Sequence, residues 1–212
     1  MKKRTLSLLL SAVMALSMFA VPCAAAPTFS DVSENDWYYD AVISSVDKHL
    51  FSGVSDSKFA PDMKMDRAMM VTVLAAMEFG VRGAPKSDSP FTDLTADWYK
   101  NAVAWAYTNK ITTGISDTEF SPHSVLTREQ VAVFLLAYAR RKGIDVSVGE
   151  DTNILSYHDA FEISAWAFPA MQWACGAGLM GGNADGNLLP SAPATRAQVA
   201  VILNNFSKLV ND

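Results

Sequence analysis

The chain has 212 residues, half of them hydrophobic, and its formal net charge is −5 at pH 7. This composition is typical of a globular protein with a sizeable core and excludes a disordered stalk. An acidic chain lacks the basic surface that nucleic acid or an anionic membrane requires, so we expect neither as a partner.

The N-terminal segment predicts a secretory signal peptide over residues 1–26. Residues 2–4 are basic, residues 6–21 form an apolar run, and small residues follow. The run is short for a bilayer span, so no transmembrane segment is predicted. Its removal takes away three of the 17 Lys and Arg residues and none of the 22 Asp and Glu residues, which leaves a net charge of −8. Pro22 before Cys23 argues against a lipid anchor, and we expect a secreted protein.

Three sequence repeats follow the signal peptide. Trp37, Trp98 and Trp166 are 61 and 68 residues apart. The same two spacings separate Gly53, Gly114 and Gly182, then Pro61, Pro122 and Pro190, and finally Arg67, Arg128 and Arg196. Each repeat also opens with an aromatic residue two positions before an aspartate, and these aspartates are Asp31, Asp93 and Asp159. Self-similarity across several residue types indicates a repeat architecture.

The repeat boundaries follow from composition. The repeats are predicted to span residues 27–80, 91–142 and 157–212. The linkers at 81–90 and 143–156 are polar and contain Gly or Pro, and the second is long enough for a short extra element.

Each repeat predicts two helices joined by a turn-rich loop. The first helix begins near the Trp, and the Gly that follows it in each repeat is predicted to close it. The second helix follows the Arg and carries an apolar stripe at i, i+3, i+4 and i+7, as in Val131, Phe134, Leu135 and Tyr138 of repeat 2. One apolar residue lies in each loop, at Phe59, Phe120 or Leu188.

The start of each second helix carries capping residues, which have a structural role, and an arginine, which the helix itself does not explain. Thr127 with Gln130, and Thr195 with Gln198, fit a capping box. In repeat 1 Asp66 can cap the helix, but the residue at the Gln position is Met69. An Arg at the first helical position gains nothing from the helix dipole, so an anion is expected beside it. That anion is either an internal carboxylate, from Asp31, Asp93 or Asp159, or a carboxylate of a ligand.

The tryptophans and glycines also allow two interpretations each. A Trp at the start of a helix packs in the core more often than it stacks on a sugar. A Gly without a side chain terminates a helix, or it lets a ligand approach the backbone closely.

Together these features resemble the S-layer homology domain family. The aromatic-x-Asp opening, the Trp, the Gly, the loop with Pro and the motifs "DRAM" (66–69), "TREQ" (127–130) and "TRAQ" (195–198) carry the resemblance. It implies a mainly α fold with three two-helix repeats about a pseudo-threefold axis. It also implies non-covalent binding of cell-wall polysaccharide, often pyruvylated, or of modified peptidoglycan at the bacterial cell surface, in grooves that contain the motif arginine.

On that basis the chain is predicted to be a secreted, non-catalytic module of the cell envelope. The candidate glycan-binding residues are Arg67, Arg128, Arg196, Asp31, Asp93, Asp159, Trp37, Trp98, Trp166, Gly53, Gly114 and Gly182. Repeats 2 and 3, which keep the Thr cap, are expected to contribute more than repeat 1. No cofactor and no metal are predicted, because the three His residues do not recur and a single Cys remains after residue 26. The alternatives are a self-associating structural subunit and a secreted polysaccharide hydrolase.

Overall fold

The computed structural model describes residues 29–148 and 152–211, and the predicted signal peptide lies outside them. The described residues form six α-helices, two in each repeat. They are α1 (Tyr39–Asp47), α2 (Arg67–Phe79), α3 (Asp97–Thr108), α4 (Arg128–Lys142), α5 (Phe168–Gly176) and α6 (Arg196–Asn211). Short 3-10 helices lie at Gly80–Arg82, Ile154–Ser156 and Ala160–Glu162, and the second of these is an extra element within the longer linker. The predicted mainly α fold is confirmed.

The helices pack across repeat boundaries. The first helix of a repeat packs against the second helix of the preceding repeat, so α3 lies on α2 and α5 lies on α4. The third such pair is α1 with α6, which joins the first repeat to the last. The packed unit is therefore offset from the sequence repeat, and three such units close into a ring.

Three backbone segments meet at the centre of this ring. The N–H of Met65 donates to the carbonyl of Ala194, the N–H of Leu126 donates to that of Met65, and the N–H of Ala194 donates to that of Leu126, each at 2.9 Å. All three residues are completely buried. Since buried backbone groups need partners, this closed cycle holds the three repeats about a common axis. It is the pseudo-threefold arrangement that the sequence predicts.

The apolar stripes of the second helices form the core. Val131, Phe134, Leu135 and Tyr138 are buried, as are Val199, Ile202, Leu203 and Phe206 of repeat 3. In repeat 1 Met70, Val73 and Leu74 are buried and Met77 is half-buried. The loop residues Phe59, Phe120 and Leu188 are also completely buried, so the prediction of an apolar plug in each loop is confirmed.

The prediction that Gly53, Gly114 and Gly182 close the first helices is wrong. These helices end at Asp47, Thr108 and Gly176, several residues before the glycines. The left-handed residue after each helix is instead His49, Lys110 or Gly178, with φ of 57°, 58° and 67°. The residue type at this position differs in each repeat, and a non-Gly residue rarely has positive φ, so the repeat pattern does not mark this turn.

The repeated glycines have a packing role. A Cβ on Gly114 would lie 2.7 Å from the carbonyl oxygen of Glu119 and would also collide with the ring of Phe91. Phe91 is the aromatic residue that opens repeat 2, and Phe29 and Tyr157 make the same approach to Gly53 and Gly182. The glycine therefore lets the opening aromatic ring of each repeat lie directly on the loop backbone.

Replacing Gly114 by Ala is expected to lower the free energy of unfolding by about 1–3 kcal/mol more than the control Gly143→Ala. Both glycines have positive φ, 78° and 71°, so both substitutions carry backbone strain. Only Gly114 also has neighbours where the Cβ would be, since nothing lies within 4 Å of a Cβ at Gly143. Urea unfolding of the two variants measures the difference, and equal losses would contradict the packing role.

Candidate functional site

The N-termini of the second helices are occupied by the protein itself. In α2 the N–H of Arg67 donates to the carbonyl of Ser124 at 3.1 Å, and the N–H of Ala68 donates to that of Pro122 at 2.9 Å. The corresponding N–H groups of α4 and α6 donate to the next repeat in the same way. An anion at the helix N-terminus is therefore not part of the site, and that element of the sequence interpretation is corrected.

Side chains cap these helices as predicted. The N–H of Thr127 donates to Oε1 of Gln130 at 3.0 Å, and the N–H of Gln130 donates back to the Thr127 hydroxyl at 3.4 Å. Thr195 and Gln198 make the same pair. In repeat 1 the carboxylate of Asp66 accepts the N–H of Met69 at 2.7 Å, so α2 is also capped.

Each motif arginine extends to the loop of the next repeat. Nε donates to the carbonyl of the buried plug residue in that loop. The pairs are Arg67 with Phe120 at 2.8 Å, Arg128 with Leu188 at 2.7 Å, and Arg196 with Phe59 at 2.9 Å. The last pair joins repeat 3 to repeat 1, so the arginines link all three repeats in one direction around the axis.

The arginines differ in their second donor. Nη2 of Arg128 donates to the carbonyl of Gly181 at 2.8 Å, and Nη2 of Arg196 donates to that of Ser52 at 2.6 Å. Nη2 of Arg67 is buried without a hydrogen-bond partner, although Thr113 occupies the equivalent loop position. An unsatisfied buried donor costs about 1–3 kcal/mol, and more when it is charged.

The repeated aspartates hold the same loops from the other side. Asp31 accepts the N–H groups of Phe59 and Ala60, both at 2.9 Å. Asp93 and Asp159 accept two successive loop N–H groups in the same manner. The peptide group after Phe59 thus donates to Asp31 while its carbonyl accepts from Arg196.

Asp and Arg therefore interact through a peptide group. Among the described residues no ion pair joins a motif arginine to a repeated aspartate. Burial lowers the pKa of the Arg196 guanidinium, and the negative charge of Asp31 partly offsets this. Of the two alternatives for the anion, an internal carboxylate directly on the arginine is therefore not observed, and a peptide group lies between the Arg and the Asp instead.

This arrangement holds a strained backbone position. Ala60, Ser121 and Leu189 follow the plug residues and have φ of 57°, 58° and 54°. A residue with a side chain adopts positive φ at a cost of about 1–3 kcal/mol. The two hydrogen bonds from each Asp and the bond to each Arg offset this cost.

Stability is expected to fall as pH decreases below about 4, and Asp31 is one cause. Burial by itself raises the pKa of Asp31, but the N–H groups of Phe59 and Ala60 hold it below its ordinary value. A folded-state pKa below the unfolded value of about 3.9 means that the ionised group stabilises the fold above that pH and loses this effect as pH falls through the folded value. Asp31→Asn should therefore be less stable at pH 7 and show a weaker acid dependence in urea titrations. Asp56→Asn, in an exposed loop of the same repeat, is the control.

Two surface grooves contain predicted site residues from all three repeats. The Arg67 groove has a volume of about 410 Å³, and its lining includes Arg67, Gly114, Gln130 and Trp166. The Arg128 groove has a volume of about 710 Å³, and its lining includes Arg128, Gly182, Gln198 and Trp37. In each groove one repeat supplies the Arg, the next supplies the Gly and Gln, and the third supplies the Trp.

The tryptophans lie on the surface and not in the core. Trp37 is 68% exposed, Trp98 53% and Trp166 58%, so the interpretation as buried helix-start residues is wrong. The residue after each of the first two, Tyr38 or Tyr99, packs edge-on against the indole ring. More than half of each Trp is therefore accessible to solvent.

The third set of equivalent residues is Arg196, Gly53 and Trp98, with Met69 at the Gln position. The Arg196 guanidinium lies over the rings of Phe51 and Phe59, 5.2 and 4.4 Å from their centroids. The Met in place of a Gln distinguishes this position from the Arg67 and Arg128 grooves.

Sequence reasoning missed several groove residues. Gln130 and Gln198 were recognised only as capping residues, yet both line a groove. Lys110 lines the Arg67 groove, and Asn183 and Asn187 line the Arg128 groove. Lys110, Asn183 and Asn187 each occur in one repeat only, so the constant spacing that identifies the arginines does not identify them. Asp31, Asp93 and Asp159 are not among the lining residues and act behind the loops.

The chain belongs to the S-layer homology domain family, whose model matches residues 28–69, 90–132 and 156–200. These three segments coincide with the three sequence repeats, and the family identifies a module of the bacterial cell surface. No helix in the described part of the chain is long and apolar enough to cross a membrane.

Similar segments occur in large proteins. An endoglucanase of Bacillus sp. (strain KSM-635) is 32% identical over 213 residues, which covers 96% of this chain and 22% of that protein. The surface-layer 125 kDa protein of Lysinibacillus sphaericus is 31% identical over 198 residues, 91% of this chain and 16% of that protein. A cell surface protein of Thermoanaerobacter kivui is 28% identical over 151 residues, 69% of this chain and 20% of that protein. The chain thus spans about a fifth of the length of these relatives.

Proposed function

We propose that this chain is a non-catalytic module that binds cell-wall polysaccharide through the Arg67 and Arg128 grooves. The observation that carries the proposal is the composition of these grooves, in which an Arg, a Gly and an exposed Trp from three different repeats come together. Because each groove exists only in the closed ring, binding is coupled to the complete three-repeat fold.

The groove chemistry suits a sugar chain. An exposed indole offers an apolar face that can lie against a sugar ring. Gln130 and Gln198 use Oε1 to accept the N–H of the capping Thr, so their amide N–H groups are the ends that can donate to hydroxyls. In the Arg128 groove Asn183 and Asn187 add further amide groups.

The same lining argues against the hydrolase alternative. Glycoside hydrolysis generally requires two carboxyl groups about 5–10 Å apart on either side of the scissile bond. The residues that line the Arg67 and Arg128 grooves include no Asp and no Glu. The repeated aspartates have both oxygens engaged by backbone N–H groups behind the loops.

The relatives support an attachment role. Two of them have surface-layer or cell-surface names and one is an endoglucanase, and all share with this chain a segment that is a small part of their own length. A shared module beside different remaining sequence fits attachment to the envelope better than a common reaction. Self-association of the module is the second candidate, and sedimentation with and without wall glycan separates it from glycan binding.

Co-sedimentation with cell-wall sacculi tests the proposal. Trp166→Ala and Trp37→Ala should each weaken binding by roughly threefold to tenfold, the range for an aromatic contact. Their melting temperatures should change little, because both side chains are more than half exposed. Trp98→Ala, at the position with Met69, is the matched control and should have a smaller effect. Equal affinity of all three variants and the wild type would contradict the proposal.

A further inference from the structure

We propose that Glu129 is the positioning residue for Trp166, so that repeat 2 fixes an aromatic side chain of repeat 3 in the Arg67 groove. This inference rests on the proposed function, because the indole ring is placed there for a wall glycan. Glu129 is buried and is not among the residues that line the groove. It therefore acts on a ligand only through the side chain that it places.

Glu129 holds the first residue of the Trp166 turn, which spans residues 164–167. Oε2 of Glu129 accepts the N–H of Ser164, and Oε1 accepts the Ser164 hydroxyl, both at 3.0 Å. The carbonyl of Ser164 in turn accepts the N–H groups of Ala167 and Phe168, at 2.8 and 3.0 Å. Trp166 thus lies inside a turn whose first residue is tied to the neighbouring repeat.

The burial of Glu129 makes these two hydrogen bonds specific. The residue is 6% exposed, and among the described residues no ion pair includes it. A buried carboxylate without a cation is unfavourable unless hydrogen bonds satisfy it. Its place in the first turn of α4 is favourable for a negative charge, and Ser164 supplies the hydrogen bonds. Any other position of the Trp166 turn would leave this carboxylate without these partners.

The Trp166 turn lacks an aromatic support that the other two repeats have. Tyr38 and Tyr99 directly follow Trp37 and Trp98, and their rings pack edge-on against the indoles with centroids 5.3 and 4.8 Å apart. Such edge-to-face pairs favour one orientation of the two rings. The residue after Trp166 is Ala167, so no equivalent ring is available in repeat 3.

The motif position of Glu129 shows the complementary pattern. Glu129 is the third residue of its motif, and Ala68 and Ala197 occupy that position in repeats 1 and 3. The repeats that follow these two alanines around the ring are the ones with a Tyr after the Trp. The carboxylate is therefore present where the aromatic support is missing, as expected if it replaces that support.

Neighbouring residues of α4 thus determine two parts of the Arg67 groove. Gln130 lines the groove directly, and Glu129 holds the turn that presents Trp166. Because Trp166 is 58% exposed, burial does not fix its ring as it fixes a core side chain. Ordering a mobile side chain opposes binding, so a turn that is already fixed in the free protein should raise the affinity.

Fluorine NMR of protein labelled with fluorotryptophan tests the positioning without any glycan. The chain has five Trp residues, and the resonance that is missing from Trp166→Phe belongs to Trp166. Glu129→Ala should shift or broaden this resonance and leave that of Trp98 unchanged. Glu129→Gln should restore the wild-type spectrum, because its amide can accept the N–H of Ser164 and donate to the hydroxyl oxygen. A Trp166 resonance that is the same in Glu129→Ala and wild type would overturn the inference.

Co-sedimentation with cell-wall sacculi measures the consequence for binding. Glu129→Ala should weaken binding by about twofold to fivefold, less than Trp166→Ala, because the ring remains in the protein. In a protein that already carries Trp166→Ala, the same substitution should change the affinity by less than about twofold, since its route to the ligand is gone. Glu129→Gln should bind within about twofold of wild type.

Ser164→Ala decides the question if Glu129→Ala does not fold. It removes the hydroxyl and keeps the N–H, so one of the two bonds to Glu129 remains. Smaller changes of the same kind in the NMR spectrum and in binding would support the inference, and wild-type behaviour in both would overturn it.

The binding results also separate this inference from the proposed function. If the wild type binds sacculi but the effects of Glu129→Ala and Trp166→Ala are fully additive, Glu129 does not act through Trp166 and only this inference is overturned. If the wild type does not bind sacculi, the proposed function is contradicted and the inference is overturned with it.

Discussion

Replacement of Arg196 by Ala is expected to lower the free energy of unfolding by about 3–4 kcal/mol. The side chain is 7% exposed and donates to the carbonyls of Phe59 and Ser52, which lie in the first repeat. Its loss leaves two loop carbonyls without their donors and opens a gap beside two aromatic rings. Arg196→Lys should recover part of the loss, because a Lys keeps the charge but cannot reach both carbonyls in a fork.

The ranking of the arginine variants by free energy of unfolding tests their role in linking the repeats more sharply than any single value does. Arg67→Ala should cost less than Arg196→Ala, since Arg67 makes one carbonyl bond and already carries an unsatisfied N–H. Arg82→Ala, which changes an exposed side chain, is the control, and its free energy of unfolding should be within about 0.5 kcal/mol of wild type. Chemical unfolding at neutral pH gives all three values. An Arg196→Ala variant as stable as Arg82→Ala would show that the arginine does not link the repeats.

The same variants separate stability from binding. If an arginine acts only through the fold, its Ala variant keeps wild-type affinity for wall glycan at a temperature where it remains fully folded. If Arg67 also attracts the ligand, Arg67→Ala should lose affinity although its stability loss is the smaller one. The loss of stability should then be larger for Arg196→Ala, whereas the loss of affinity for wall glycan should be larger for Arg67→Ala.

Periodicity made the helices and the core predictable. The stripe in α4 follows directly from the spacing of Val131, Phe134 and Leu135, and burial of such a stripe is dictated by the hydrophobic effect. The capping boxes were also predictable, because the Thr and Gln interact within one turn of the same helix. These are local properties, and a repeat shows them three times.

Contacts between repeats were not predictable from the same pattern. A constant spacing relates Arg67 to Arg128 and Arg196, but it does not state which loop a long side chain reaches. The core interpretation of Trp166 is wrong for the same reason, since the exposure of this side chain depends on contacts with other repeats. Glu129 is a further case, because it is buried and accepts from the N–H and hydroxyl of Ser164 in the next repeat, while Ala occupies its position in repeats 1 and 3.

The closed ring also explains why the motif arginine, the Gly and the Trp recur together. The Arg ties a loop to the preceding repeat, the Gly lets an aromatic ring pack on that loop, and the loop then forms one wall of a groove. Residues that maintain the fold thus also shape the surface. The chemistry that distinguishes one groove from another comes from residues outside the motif, such as Lys110 and Asn183.

Separation of the third repeat is expected to unfold the rest of the chain. A fragment of residues 29–148 keeps the α2 and α3 pair but leaves α1 without α6 and α4 without α5. The fragment also lacks Ala194, whose carbonyl accepts the N–H of Met65. It lacks Arg196 as well, which donates to the carbonyl of Phe59. Because α1 has only 9 residues, it is too short to be stable in water once it loses α6.

We therefore expect fragments 29–148 and 152–211 each to show little helical circular dichroism alone, and an equimolar mixture to recover the helical signal and a cooperative melt. The matched control is full-length protein cut at a protease site placed between residues 148 and 152, which keeps every described contact and should stay folded until the pieces are separated in urea. The separated fragments are expected to unfold because removal of a repeat from a closed ring breaks two interfaces, whereas removal of a terminal repeat from an open solenoid breaks only one. A fragment of residues 29–148 that melts cooperatively on its own would show that the α1 and α6 contact and the central hydrogen-bond cycle are dispensable, and the grooves would then not require all three repeats.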